Sequence, residues 1–149
     1  MDAALEPFLD TFRRAFEMEE QMTGALVELC APAAITEDLP APTRRTLIET
    51  LETIRRDSLR HEQTLAEILS KPVISETAET PPRPLTITKP ILEQRIRQLL
   101  AIDLNAVDIY RDLAKTVPEG PVRQTLRAIA ADEGRHVALE KKMLSLLAE

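Results

Sequence analysis

The sequence predicts an all-α protein, an antiparallel four-helix bundle with one long crossover between its second and third helices. Composition points there first. Hydrophobic residues make up 44% of the 149-residue chain but aromatics only 3%, and there are three glycines. A core of Leu, Ile, Val and Ala with so few tight turns suits helices better than a sandwich or barrel. Proline placement points there second. Prolines at 32, 40 and 42, then at 72, 81, 82, 84 and 90, then at 118 and 121, leave four long segments at about 3–31, 43–70, 90–116 and 121–147. Each is nearly free of Gly and Pro inside and rich in helix formers. The third observation is an apolar stripe at three- and four-residue spacing along every segment.

The length fits a single domain, 1–149, with one core. The stretch KPVISETAETPPRPLTITKP, spanning the expected crossover at 71–89, is too proline-rich for a helix and long enough to run the length of a bundle. The net charge of −6, without a Lys/Arg stripe, argues against nucleic acid as a partner. No apolar run approaches twenty residues, so no membrane span is expected. The acidic start MDAALEPFLD lacks the pattern of a secretory signal. A single cysteine, Cys30, cannot form an internal disulfide; it reads as a packing residue and fits a cytoplasmic location.

The stripes carry an anomaly. The first runs Leu5, Leu9, Phe12, Phe16, Glu19, Thr23, Leu26, Cys30, and the second Leu47, Leu51, Ile54, Ser58, His61, Leu65, Ile68. The third runs Leu92, Ile96, Leu99, Asp103, Ala106, Tyr110, Leu113, Val117, and the fourth Val122, Leu126, Ile129, Glu133, His136, Glu140, Met143, Leu147. All four are apolar at both ends and polar in the middle. At about 1.5 Å per residue, Leu5 to Glu19, Leu47 to His61 and Val122 to His136 each cover roughly 21 Å, so the polar groups are expected to meet at one level of the core.

The chain also repeats itself. IRRDSLRH (54–61) and IAADEGRH (129–136) share Ile, Asp, Arg and His, and PTRRTL (42–47) matches PVRQTL (121–126) upstream. The spacing between blocks differs by four residues, about one helical turn, which keeps the face. EEQMTGALVEL (19–29) echoes DLNAVDIYRDL (103–113) more faintly and pairs Glu19 with Asp103. A duplicated helical hairpin is the simplest description, and it puts the chain's two histidines, His61 and His136, in equivalent places.

Buried carboxylates and imidazoles are costly as bare charges and become reasonable around a cation. A Glu and a His three apart on one helical face can serve the same metal centre, and one carboxylate from each of two other helices can complete it. Oxygen and imidazole donors together suit iron, manganese or zinc. The competing reading is a polar centre closed by hydrogen bonds and ion pairs among Glu19, His61, Glu133 and His136, with no metal.

On these residues the sequence resembles the ferritin-like superfamily, and within it the small rubrerythrin-like domains with a di-iron carboxylate centre. The likeness covers nearly the whole chain. It rests on the helix order, the long middle crossover, E-x-x-H at Glu133 to His136, Asp103 followed seven residues later by Tyr110, and Glu19 with Leu26 at the corresponding interval. The resemblance implies metal ligands at Glu19, His61, Asp103, Glu133 and His136, with Glu133 as the bridging candidate. It implies one or two ions, iron first and manganese or zinc as alternatives. It also implies oxidation of Fe(II) or reduction of peroxide or dioxygen, and a homodimer. Because one cysteine cannot build a rubredoxin-like module, either an external electron donor is then needed or the reaction is simple ferrous oxidation.

Two departures stand out. The second helix offers S-x-x-H, Ser58 to His61, where the family offers E-x-x-H, and the third-helix ligand is Asp103, one methylene shorter than Glu. Asp57 points about 100° off the stripe and could bind a metal only if the helix were distorted, as by a π-bulge. Glu140, one turn below His136, is a further candidate. Ser58 and Tyr110 are the candidate catalytic residues. Ser58 either leaves an open position for water or oxygen species or marks a lost site. Tyr110 is either a redox participant or a core residue with its hydroxyl tied to a carboxylate. Asp57 and Asp132 are expected to support ligands rather than to bind. The alternative function is a non-catalytic interaction or metal-binding module.

Overall fold

The computed structural model describes residues 3–30, 38–71 and 87–149. Four helices carry them: α1, Leu9–Leu29; α2, Ala41–Leu69; α3, Lys89–Thr116; and α4, Pro121–Ala148. There is no strand among the described residues. The first helix begins later than the stripe suggested, because Ala3–Phe8 form a 3-10 helix with Pro7 inside it. Proline has no N–H to give and restricts the residue before it, so the tighter turn persists until the chain clears Pro7. The end expected at residue 31, and most of the 71–89 crossover, lie outside the described residues.

Backbone chemistry sets the other boundaries. Pro42, Pro90 and Pro121 sit in the first positions of α2, α3 and α4, where a missing N–H costs nothing. Ser70 closes α2 in the left-handed conformation (φ 54°), and the Lys71 N–H returns to the Ala66 carbonyl at 2.9 Å. Val117 leaves α3 extended ahead of Pro118. Gly120 adopts φ 150°, which favours glycine, to start α4. The Arg123 guanidinium then donates to the Val117 carbonyl (Nε, 3.0 Å), closing the turn between α3 and α4.

Helix α1 packs on α2 and α3, and α4 packs on α3 and α2. Contacts pair low numbers on one helix with high numbers on its neighbour. Glu19 meets His61 while Lys71 lies over Phe16; Tyr110 meets Glu19 while Arg95 meets Glu28; Asp57 meets His136 while His61 meets Asp132. Lys71 thus stands near Phe16, and Arg95 near Glu28, at different levels of α1.

The core is split in two. One apolar cluster joins Met22, Leu26, Leu29, Leu47, Leu51, Ile54, Leu92, Ile96, Leu99, Met143 and Leu147. The other joins Leu5, Phe12, Phe16, Leu65, Ala106, Tyr110, Leu113, Leu126 and Ile129. Between them lie Glu19, Thr23, Ser58, His61, Asp103, Glu133, His136 and Glu140, all buried. The interruptions read from the four stripes do share one level. No helix among the described residues is long and apolar enough to cross a membrane.

The apolar ends must bear the stability that the polar layer cannot supply. Leu51, fully buried in the first cluster, should cost about 2–5 kcal/mol when cut to Ala, whereas the exposed Leu104 should change stability by no more than about 0.5 kcal/mol. Urea unfolding of metal-free protein measures both, and equal effects would contradict this core.

Candidate metal centre

Each helix lends its middle turn. Glu19 and Thr23 come from α1, Ser58, His61 and Glu62 from α2, Asp103 and Tyr110 from α3, and Glu133, His136 and Glu140 from α4. None is more than 2% exposed. The 3-4 spacing that makes a helix amphipathic also aims these side chains inward, since residues three or four apart share a face.

The donors form two sets. One oxygen or nitrogen from each of Glu19, His61 and Glu133 lies within 4.8 Å of the others, and the same holds for Asp103, Glu133 and His136. Glu133 belongs to both. The two sets together contain the five ligands that the resemblance implies, with Glu133 between the pairs. This buried group could hold a metal ion.

The histidines are held by a reciprocal crossing. His61 of α2 places Nε2 2.8 Å from Asp132 Oδ2 of α4, and His136 of α4 places Nε2 2.9 Å from Asp57 Oδ2 of α2. Each D-x-x-R-H block thus lends its aspartate to the other block's histidine. With Nε2–H donated outward, Nδ1 of each ring faces the centre. His61 Nδ1 is 2.9 Å from Glu133 Oε1 and 3.5 Å from Glu19 Oε1, and His136 Nδ1 is 3.5 Å from Glu133 Oε2. The rings stack with centroids 6.1 Å apart. Arg60 ties the two aspartates together, 3.0 Å from Asp57 and 3.1 Å from Asp132, and Arg135 also pairs with Asp132. An outward carboxylate on a ligating histidine fixes its tautomer and orientation. This arrangement assigns Asp57 a supporting place. It needs no π-bulge, as α2 is α-helical throughout.

Tyr110 Oη donates to Glu19 Oε1 at 2.7 Å, so its hydroxyl is tied to a carboxylate. Thr23 Oγ1 donates to the Glu19 carbonyl at 2.7 Å and lies 3.3 Å from Glu62 Oε2. Glu62 is a buried carboxylate that the stripe reading missed, because it sits one residue past His61, about 100° off the stripe. The seam between α1 and α2 is wide enough to cover it. Its adjacency to a core histidine was the available signal.

Several buried atoms have no hydrogen-bond partner: Ser58 Oγ, Asp103 Oδ2, Glu133 Oε2, His136 Nδ1, and both Glu140 oxygens. An unmet buried polar group costs about 1–3 kcal/mol, and native structures keep few of them. Of these residues, Asp103, Glu133 and His136 form one of the two donor sets, where a cation would engage oxygen and imidazole lone pairs together.

Without a cation, protons must neutralise the layer. Burial, then the Glu133 charge, hold the Glu19 carboxyl up at about 7. Burial pushes Asp103 far above the carboxylate range, helped by Glu133 and Glu140, and burial holds Glu140 at about 7. Burial opposes the charged form of Glu133 too, but His136, 3.5 Å from Oε2, and His61, 2.9 Å from Oε1, win and pull it well below the usual range. Burial likewise opposes charging His61, yet Glu133 and Glu19 raise it to about 9. His136 is raised by Glu133 and Asp57 against its own burial.

The signs give a pH profile for metal-free protein. The raised histidines stabilise fully below their unfolded value and lose that contribution as pH climbs through their folded values, about 9 for His61. The raised carboxyls of Glu19, Asp103 and Glu140 likewise cost stability as pH rises above the ordinary carboxylate range. Glu133 does the opposite and loses its contribution only in acid. Thermal melts of metal-free protein should therefore peak near the ordinary carboxylate range, at about pH 4–4.5, and decline steadily toward pH 9. A melting temperature that rises across that range would contradict the protonation pattern.

The chain matches no family model, no curated protein and no solved structure, so the reading of this centre rests on its own residues and geometry.

Proposed function

We propose that this chain is a ferritin-like, rubrerythrin-like non-haem metal protein, antiparallel in its helices, whose buried centre holds one or two transition-metal ions, and that it oxidises Fe(II) or reduces peroxide or dioxygen. Iron is the first choice, with manganese or zinc as alternatives, because oxygen and imidazole donors suit all three. The observation that carries the proposal is the pair of overlapping donor sets that share Glu133, together with the unpartnered Asp103 Oδ2, Glu133 Oε2 and His136 Nδ1 facing the same space.

The residues fit such an ion. Glu19 and His61 would hold it on one side, Asp103 and His136 on the other, and Glu133 can offer an oxygen to each. Iron bound there would supply one electron per Fe(II) oxidised, and the two-electron reduction of dioxygen or peroxide would draw on two such changes. The chain's own groups prepare the rest. Asp132 and Asp57 keep the Nε2 protons and so direct both Nδ1 lone pairs inward. Tyr110 holds Glu19 by Oε1. The aliphatic clusters above and below keep bulk water from the layer. Ser58 Oγ, buried and unpartnered, is free to donate a hydrogen bond to an oxidant or a bound water. When peroxide is the substrate, electrons come from an external donor; when Fe(II) is the substrate, it brings its own. A homodimer is part of this reading.

Elemental analysis of protein purified without chelators, followed by anaerobic loading with Fe(II), provides the test. One or two equivalents of metal are expected in the wild type and none in the His61→Ala/His136→Ala variant. Loaded wild type should consume dioxygen or peroxide, and the double variant should do so no faster than free Fe(II). Failure of the wild type to bind any metal would falsify the proposal.

Ser58 favours a second reading, a decayed centre in a non-catalytic interaction or metal-binding module. On that reading Ser58→Glu restores a missing ligand and raises both metal content and ferrous oxidation above the wild type. On the first reading the same variant gains nothing.

A further inference from the structure

Glu140 stands outside both donor sets, yet it is 0% exposed and lies in the same polar layer. Neither of its oxygens has an aligned hydrogen-bond partner. Its neighbour is the Asp103 carboxyl, which meets it in the metal-free protein only through a proton shared between the two acids, and Asp103 Oδ2 accepts from no N–H or hydroxyl. Side chains on a helix lean toward its N-terminus, so Glu140, one turn after His136, projects back toward the level of His136. On α2 the Ser58 hydroxyl is likewise fully buried and unpartnered.

The internal repeat shows why these features belong together. In the alignment of IRRDSLRH with IAADEGRH, Ser58 corresponds to Glu133. Four residues past each histidine, α2 has Leu65, which packs in the second apolar cluster, whereas α4 has Glu140. Relative to one another, α2 has a hydroxyl in place of a carboxylate, and α4 has a carboxylate in place of a leucine. A fully buried glutamate answered only by another carboxyl is otherwise costly at a position where its repeat counterpart is apolar.

We propose that Glu140 is a sixth ligand for a divalent transition-metal ion, on the Asp103–Glu133–His136 side, in place of the second-helix carboxylate that Ser58 cannot provide. This rests on the metal-binding reading above. The two sides of the centre are then unequal. One offers Glu19, His61 and a share of Glu133. The other offers Asp103, Glu140, His136 and a share of Glu133, and is the more oxygen-rich. Oxygen-rich sites suit Mn(II) and Fe(II).

The test is anaerobic Mn(II) binding by equilibrium dialysis, using the full chain as wild type, Glu140→Gln, Glu140→Leu and the Ser58→Glu/Glu140→Gln pair. Glu140→Leu copies Leu65 and should fold at least as well as the wild type in the metal-free state, as judged by circular dichroism and melting. Both single variants should lose one equivalent of Mn(II) or bind it about tenfold more weakly or worse, with a smaller rise in melting temperature on metal addition. Ser58→Glu should restore binding in the Glu140→Gln background. Wild-type stoichiometry and affinity in either folded single variant overturns the assignment of Glu140 while leaving the metal centre intact. An absence of Mn(II), Fe(II) and Zn(II) binding by the wild type overturns both.

Discussion

Carboxylates and imidazoles buried at one level of an aliphatic bundle govern the rest of this protein. Each such group is expensive to remove from water, and the cost falls only when a proton, a hydrogen bond or a cation meets it. The chain concentrates the expense in a single layer and leaves the two ends of the bundle to bury leucines, isoleucines and phenylalanines without interruption. Segregation of this kind lets one molecule have both a stable scaffold and a polar interior that could hold a metal ion. The apolar ends hold the helices in register, and the register aligns four middle turns that are distant in sequence.

Within that layer the decisive interaction is the exchange of aspartates between α2 and α4. Asp57 holds His136 and Asp132 holds His61, with Arg60 joining the two carboxylates at the edge. Two identical local motifs thereby become one cross-braced unit. The outward bonds take one nitrogen of each ring and leave the other facing Glu133, so the imidazoles cannot turn away without breaking a charge-assisted bond. The repeated D-x-x-R-H spacing accounts for the reciprocity. Helices α2 and α4 present the motif to each other, and the aspartate that reaches across from one is matched by the aspartate that reaches across from the other.

The symmetry is incomplete, and the breaks fall where chemistry would be expected to differ. Ser58 corresponds to Glu133, Leu65 corresponds to Glu140, and Asp103 corresponds to Glu19 with a shorter reach. Local rules are obeyed throughout the apolar ends and violated in the centre. Such violations cluster at functional sites, where strain or unmet polarity is retained for use. The unmet oxygens lie on Asp103, Glu133 and Glu140, toward the Asp103 side, whereas Glu19 is already engaged by Tyr110. In the metal-free protein the Glu19 side is closed by the Tyr110 hydroxyl, whereas the Asp103 side is held by protons shared among carboxyls.

The sequence by itself determined the helices, their apolar faces, the polar middle turns and the pairing of the two histidines. These follow from residue spacing, which a helix converts directly into direction. It also placed Glu19, His61, Asp103, Glu133 and His136 on the inward faces, because each interrupts an otherwise apolar stripe. The 3-10 start was less visible, since a single Pro7 shifts a boundary without altering the stripe. What only the tertiary structure decided was which polar groups meet. Asp57 and Asp132 lie off the stripe, and only the packing of α2 against α4 brings each to the other's histidine. Glu62 is inward because α1 covers more of α2 than a single stripe implies. Whether Glu140 is answered by a neighbour depends on three other helices. Periodicity reports the direction a side chain takes from its own helix, whereas hydrogen bonds and shared ligands depend on distances between helices, which no local pattern encodes.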